Sequence, residues 1–270
     1  MKETCDVMEK IIPLFAVPAR FPEIENLLTG NSNLPGPRGN LTLAFRWADY
    51  FERTTLPEGL GDLLDNWANI SAAEAPTNNP REYLTFCAVL AWGAHYCYAA
   101  AALKKQIMDR IRAAMNDARW RIKEAAAMGL QRIAEKDFQP LQQYITGWYD
   151  SANFLEKRAF IAALAHPPIL QNPEVAAFSL KISEAILNEI RVCGKAARRS
   201  EDFTVLSKGL QYALSVFVAH QPDDGFALLK KFAGWNDPDL QKIMKANLNK
   251  SRLTKKYQRQ VDEVSDLLNP

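Results

Sequence analysis

The chain has little of what most catalytic folds are built on. Glycine is sparse, at 12 of 270 residues, and falls mainly between apolar stretches. No G-x-S-x-G elbow, G-x-x-x-x-G-K-[ST] loop or H-E-x-x-H helix occurs. The cysteines, Cys5, Cys87, Cys97 and Cys193, show no C-x-x-C spacing. They are expected to be reduced thiols acting as small hydrophobes, in keeping with a cytoplasmic protein. Neither charge dominates: 33 Lys and Arg against 31 Asp and Glu give a formal +2, so no global field demands a nucleic acid or a membrane. Uninterrupted apolar runs stay well short of the roughly 18 residues of a membrane span. The start, MKETCDVMEKIIPLF, carries Glu3, Asp6 and Glu9 and does not read as a signal peptide. A soluble intracellular protein is expected.

Strand alternation is equally scarce, and helical periodicity takes its place. Leu206, Leu210, Leu214 and Phe217 form one apolar stripe. Asn79-Pro80, Asn172-Pro173 and Asp237-Pro238 each set an N-cap acceptor before a proline that has no amide to waste. Glu82 stands where a capping box with Asn79 would need it. Gly147-Trp-Tyr-Asp150 and Gly234-Trp-Asn-Asp237 match, and each aspartate precedes an alanine by nine residues, Ala159 and Ala246. Asp117 with Ala126, and Asn79 with Ala88, repeat that spacing. A small residue at fixed depth lets neighbouring helices approach, and stacked pairs supply the core that one pair lacks. The expectation is an all-α chain, a helical solenoid forming a single domain over 1–270. Within it, 1–78 reads as less regular helices and 79–270 as recognisable repeats.

Asp117-Ala-Arg-Trp-Arg-Ile122-Lys123-Glu-Ala-Ala126 resembles the second-helix pattern of HEAT repeats. LPGPRGNLTLAF, NDARWRIKEAAAMGLQRI and the block from KGLQYALSVFVAHQ to KANLNKSRL resemble bacterial HEAT-repeat proteins of unknown function, themselves loosely related to the HEAT-like alkylpurine DNA glycosylases. The resemblance implies a right-handed solenoid of helix pairs. The glycosylases pair tryptophans with a nearby aspartate and an arginine on a following repeat. This chain has no such cluster upstream of Trp120 and carries Lys123 at the basic position.

Candidate chemistry is thin. His95, His166 and His220 share no ligand spacing, and Asp223-Asp224-Gly225 reads as a helix start rather than a calcium loop. Trp120, Trp148 and Trp235 lie near the starts of second helices, where they either line a groove with Arg119, Arg121 and Lys123 or plug gaps between repeats. From Leu240 to Val261 there are seven cations, Lys242, Lys245, Lys250, Arg252, Lys255, Lys256 and Arg259, and no acid. This segment is either a solvated helix pair or a phosphate-binding face. The loop GNSNLPGPRGN, Gly30 to Asn40, reads as a rigid corner between helical units. Arg38 on it either bridges to the next helices or reaches an anion. The candidate binding residues are Trp120, Arg121, Lys123, Trp148, Arg158, Trp235, Lys245 and Arg252. No catalytic residue, metal or cofactor is expected. The function expected is a non-enzymatic scaffold docking a protein or peptide on a concave surface, with DNA binding or repair as the alternative.

Overall fold

The computed structural model describes residues 2–268, with side chains from residue 7 on; Cys5 lies outside the described side chains. The described chain is helical, without a strand. Its backbone gathers into two compact units, Met1–Leu141 and Gln142–Pro270.

In the first unit everything turns on α5 (Glu82–His95), whose residues are all buried. Its sequence, EYLTFCAVLAWGAH, is apolar on every face, and such a helix is stable only when surrounded. Packed against it are α2 (Phe21–Gly30), α3 (Leu41–Asp49), α4 (Leu60–Ala68), α6 (Ala101–Met115) and α7 (Trp120–Lys136). Next to α3 lies α1 (Lys2–Ile11). Phe15, Trp47, Phe51 and Trp67 form an edge-to-face and tilted aromatic cluster, Trp47 to Trp67 being 5.4 Å between centroids. The Trp47 indole donates to the carbonyl of Cys87 at 3.1 Å, satisfying its one donor inside the core. The closest approach is between α5 and α7. A Cβ on Gly93 would stand 2.5 Å from Cα of Gly129, so the backbones touch there.

In the second unit the central helix is α12 (Glu201–His220). Around it pack α9 (Phe154–Leu164), α10 (Pro173–Val192), α13 (Pro222–Ala233), α14 (Pro238–Leu248) and the short α15 (Ser251–Thr254). The expected stripe of Leu206, Leu210, Leu214 and Phe217 is buried. Buried Asn247 ties α14 to α12: its amide donates to Leu210 O at 2.9 Å and its oxygen accepts from Ser215 N at 2.8 Å. α8 (Phe138–Trp148) contains the division between the units, α11 is Lys195–Arg198, and α16 (Gln258–Leu267) packs on α13.

The caps follow the sequence where chemistry is local. Asn40, Asn172 and Asp237 each accept from a backbone amide of the helix they open. Asp223 and Asp224 fall in the first turn of α13. Two caps differ. Asn79 caps the turn before α5, accepting from Arg81 N at 2.9 Å, while Glu82 reaches back to Asn78 N at 2.9 Å and leaves the box with Asn79 unmade. Asp150 lies in a 3-10 turn, and α9 is opened instead by Asn153 in a full capping box with Glu156. The two Gly-Trp-x-Asp segments are therefore alike in sequence and different in use. Cys87, Cys97 and Cys193 are free thiols, Cys87 buried and the other two half-buried.

Replacing Gly93 with alanine pushes a methyl into backbone, at a cost of about 1–3 kcal/mol. At Gly147 a Cβ would meet nothing within 4 Å, so alanine there brings a gain of roughly 0.5–1 kcal/mol. Urea unfolding midpoints of the two variants should move in opposite directions.

Candidate functional site

The corner after α2 is fixed from several sides. Ser32, buried, donates its hydroxyl to Thr29 O at 2.7 Å and accepts from Leu34 N at 3.1 Å. Asn40 N donates to Ser32 O at 2.9 Å, and the Tyr83 hydroxyl donates to Asn40 O at 2.7 Å. Asn33 sits at φ 61°, a left-handed conformation asparagine tolerates. Gly36 faces the carbonyl of Asn33 so closely that no Cβ fits between them.

Arg121 pins the far side of the loop. Its guanidinium donates to Gly36 O, to Asn78 Oδ1 at 2.9 Å and to Glu82 Oε2 at 3.2 Å. Glu82 is completely buried, and an uncompensated carboxylate there would be costly. Arg121 therefore serves the fold, holding the buried acid and the loop together.

Arg38 differs from it in exposure and in bonding. It is exposed, and among the described residues it makes no hydrogen bond or ion pair. The bridge to neighbouring helices expected of it is not made, because Arg121 occupies that role. Arg38 instead stands at a cavity of about 290 Å³. Pro37 and Gly39 of the loop, Leu41 of α3, Tyr83 and Phe86 of α5, and Trp120, Arg121, Glu124 and Met128 of α7 complete its lining. Trp120 is 48% exposed and Leu41 38%. Phe45, one turn beyond Leu41, is 38% exposed as well. α3 and α7 both pack against α5, so the cavity is a groove floored by α5. Farther along, Arg132 of α7 bonds Asp49 at 2.6 Å and lies 5.5 Å above the Phe45 ring.

The other cation flanking Trp120 is structural. Arg119 is 2% exposed and donates to Ala75 O, Ile70 O and both oxygens of Asp117. Burial opposes ionisation of Asp117, but the Arg119 hydrogen bonds outweigh it and hold its carboxyl below the usual range; the charge of Lys123 adds a smaller push. Lys123 is half-buried and does not line the groove.

Of the eight residues expected to bind, Trp120 and Arg121 line this cavity. The other five candidates besides Lys123 belong to the second unit, each in its own setting. Trp148 packs on Tyr144 with ring centroids 3.9 Å apart. Arg158 is buried in α9, its stem 3.2 Å from the Cβ position of Gly209. Trp235 contacts Phe232 at 4.6 Å and lies under the Arg191 guanidinium at 4.3 Å. Lys245 is exposed on α14, and the Arg252 guanidinium lies 4.6 Å from the ring of Tyr212. Tyr83, Phe86, Leu41, Glu124 and Met128 escaped the sequence reading, since nothing local marks a residue that lines a groove made by three helices.

No group of metal-ligating side chains occurs among the described residues, and no described helix is long and apolar enough to cross a membrane. Comparison with protein-family models, curated proteins and solved structures finds no match.

The two arginines should separate cleanly by thermal unfolding. Arg121→Ala strands the Glu82 carboxylate and is expected to cost about 3 kcal/mol. Arg38→Ala should stay within about 0.5 kcal/mol of the parent.

Proposed function

We propose that the chain is a non-enzymatic binding scaffold that docks a segment of a partner protein in the groove over α5. The observation that carries this is an exposed tryptophan and an unpaired arginine on the rim of one apolar cavity. Folded proteins rarely leave a large ring exposed beside apolar neighbours unless something covers it. Trp and Arg are also the side chains around which interface energy concentrates. The volume suits one bulky apolar side chain, held by Trp120, Tyr83, Phe86 and Met128, with a neighbouring carboxylate meeting Arg38. The occupant is thus a peptide segment with an aromatic or large aliphatic anchor next to an acid. Charge complementarity selects it, since Arg121 is already engaged and Arg38 is not.

The same proposal takes the architecture to be a solenoid of HEAT-like helix pairs with this groove on its concave side. What supports it is that α5 and α7, which carry Ala88 and Ala126 in matching places 38 residues apart, pack side by side through Gly93 and Gly129. Ala88 and Ala126 are both fully buried.

A second reading, an enzyme of DNA repair akin to the HEAT-like alkylpurine DNA glycosylases, draws on Glu124 sharing the cavity with Trp120: an aromatic face and a carboxylate are what excision of a cationic base requires. Purified protein that leaves alkylated duplex DNA intact removes this reading.

Peptide display on immobilised protein tests the scaffold. An enriched sequence should pair an anchor with an acid, bind the purified protein, and lose at least tenfold in affinity with Trp120→Ala. Arg38→Glu should select basic neighbours in place of acidic ones. Absence of any enriched sequence, or enriched sequences indifferent to Trp120→Ala, would sink the proposal.

A further inference from the structure

We infer a second, separate site in the second unit: a face for single-stranded nucleic acid, formed by Tyr212 of α12 and the cations of residues 250–256. It rests on different residues from the groove and stands or falls without it.

Tyr212 is 51% exposed in the middle of a long helix, where an aromatic ring usually turns inward. The Arg252 guanidinium lies 4.6 Å and the Lys250 ammonium 5.9 Å from its centroid. Two turns on, His220 of the same helix feels the same segment. Burial lowers the affinity of its imidazole for a proton, and the charges of Arg252 and Lys256 lower it further. Tyr212 and His220 are separated by about 12 Å of helix axis. The Lys256 ammonium itself lies 5.2 Å from the ring centroid of Tyr257, so the cations continue past Tyr212.

Among the described residues, Lys250, Arg252, Lys255 and Lys256 have no carboxylate partner. Neighbouring cations are handled differently: Lys230 and Arg259 share Glu263, Lys231 pairs with Glu184, and Arg198 with Asp237. A cationic face left unpaired next to an available aromatic plane has the two elements that grip a single strand, charges for phosphates and a ring for a base. A duplex keeps its base faces stacked inside and has none to offer Tyr212. A membrane surface would call for exposed aliphatic anchors beside the ring, and no large aliphatic residue of α12, α14 or α15 is exposed. An acidic peptide would leave the tyrosine face without a planar partner.

Fluorescence anisotropy with a labelled oligothymidylate tests the site. Neutralising three or four phosphates gives a log–log salt slope of about −2 to −3. Tyr212→Ala, an exposed position, should weaken binding about tenfold with the slope unchanged, and Tyr212→Phe should restore it. Lys250→Gln and Lys256→Gln should each reduce the slope by about 0.7. A flat salt response, or an affinity untouched by Tyr212→Ala, overturns the proposal. So does equal or tighter binding of the matching duplex, of polyglutamate, or of phosphatidylserine–phosphatidylcholine vesicles. Circular dichroism melting of each variant separates lost binding from lost fold.

Discussion

Burial of α5 on every side sets the terms for the first unit. A helix with no polar face takes neighbours all round, and α2, α3, α4, α6 and α7 supply them. Gly93 against Gly129 brings α7 into backbone contact with α5, at a point where neither helix can carry a larger side chain without moving apart. The groove is a consequence. α3 and α7 lie against the same helix, and Tyr83 and Phe86 of α5 form its floor.

The same burial explains the division of labour among the arginines. Glu82 opens α5 and goes inside with it, so a cation has to follow. Arg121 does, and from that position it also reaches Gly36 O and locks the loop. Arg119 closes on Asp117 and two carbonyls, fastening the start of α7 to the segment before α5. With these contacts made, Arg38 is held on a rigid support with no partner of its own. Such a side chain loses little backbone entropy on binding, because its loop is ordered beforehand.

How far the sequence disclosed this depends on the range of the interaction. Asn172 and Asp237 were legible as caps because cap and amide lie within three residues. Asp150 was not, because Asn153 three residues later offers a capping box with Glu156 and wins the helix start. Arg119 and Arg121 flank Trp120 alike in sequence. Which is buried against backbone carbonyls and which pairs with Glu82 is decided by residues 39 to 85 positions away, beyond the reach of any local pattern. Trp120 itself could be singled out, but its exposure follows from its place at the first turn of α7, on the rim and not under it. Trp148 and Trp235, alike in context, both found ring partners, in line with a packing use of large aromatic side chains.

Net charge leaves local charge open for a related reason. The formal +2 suggests a chain with no electrostatic preference, yet cancellation is a property of neighbours and not of totals. In the second unit the carboxylates of Glu184, Asp237, Asp239 and Glu263 each lie against a particular cation. None of them reaches residues 250–256, and the charges of Arg252 and Lys256 add to the burial that already lowers the proton affinity of His220. A Debye length near 10 Å at moderate salt means that distant acids do not compensate. Arg132 over Phe45 and Arg252 over Tyr212 make the contrast concrete. Both are cation–aromatic pairs, but Arg132 is also bound to Asp49 and Glu52, which leaves it nearly neutral toward solvent. Among the described residues Arg252 has no such acid, and its charge, with that of Lys250, stands beside an exposed ring.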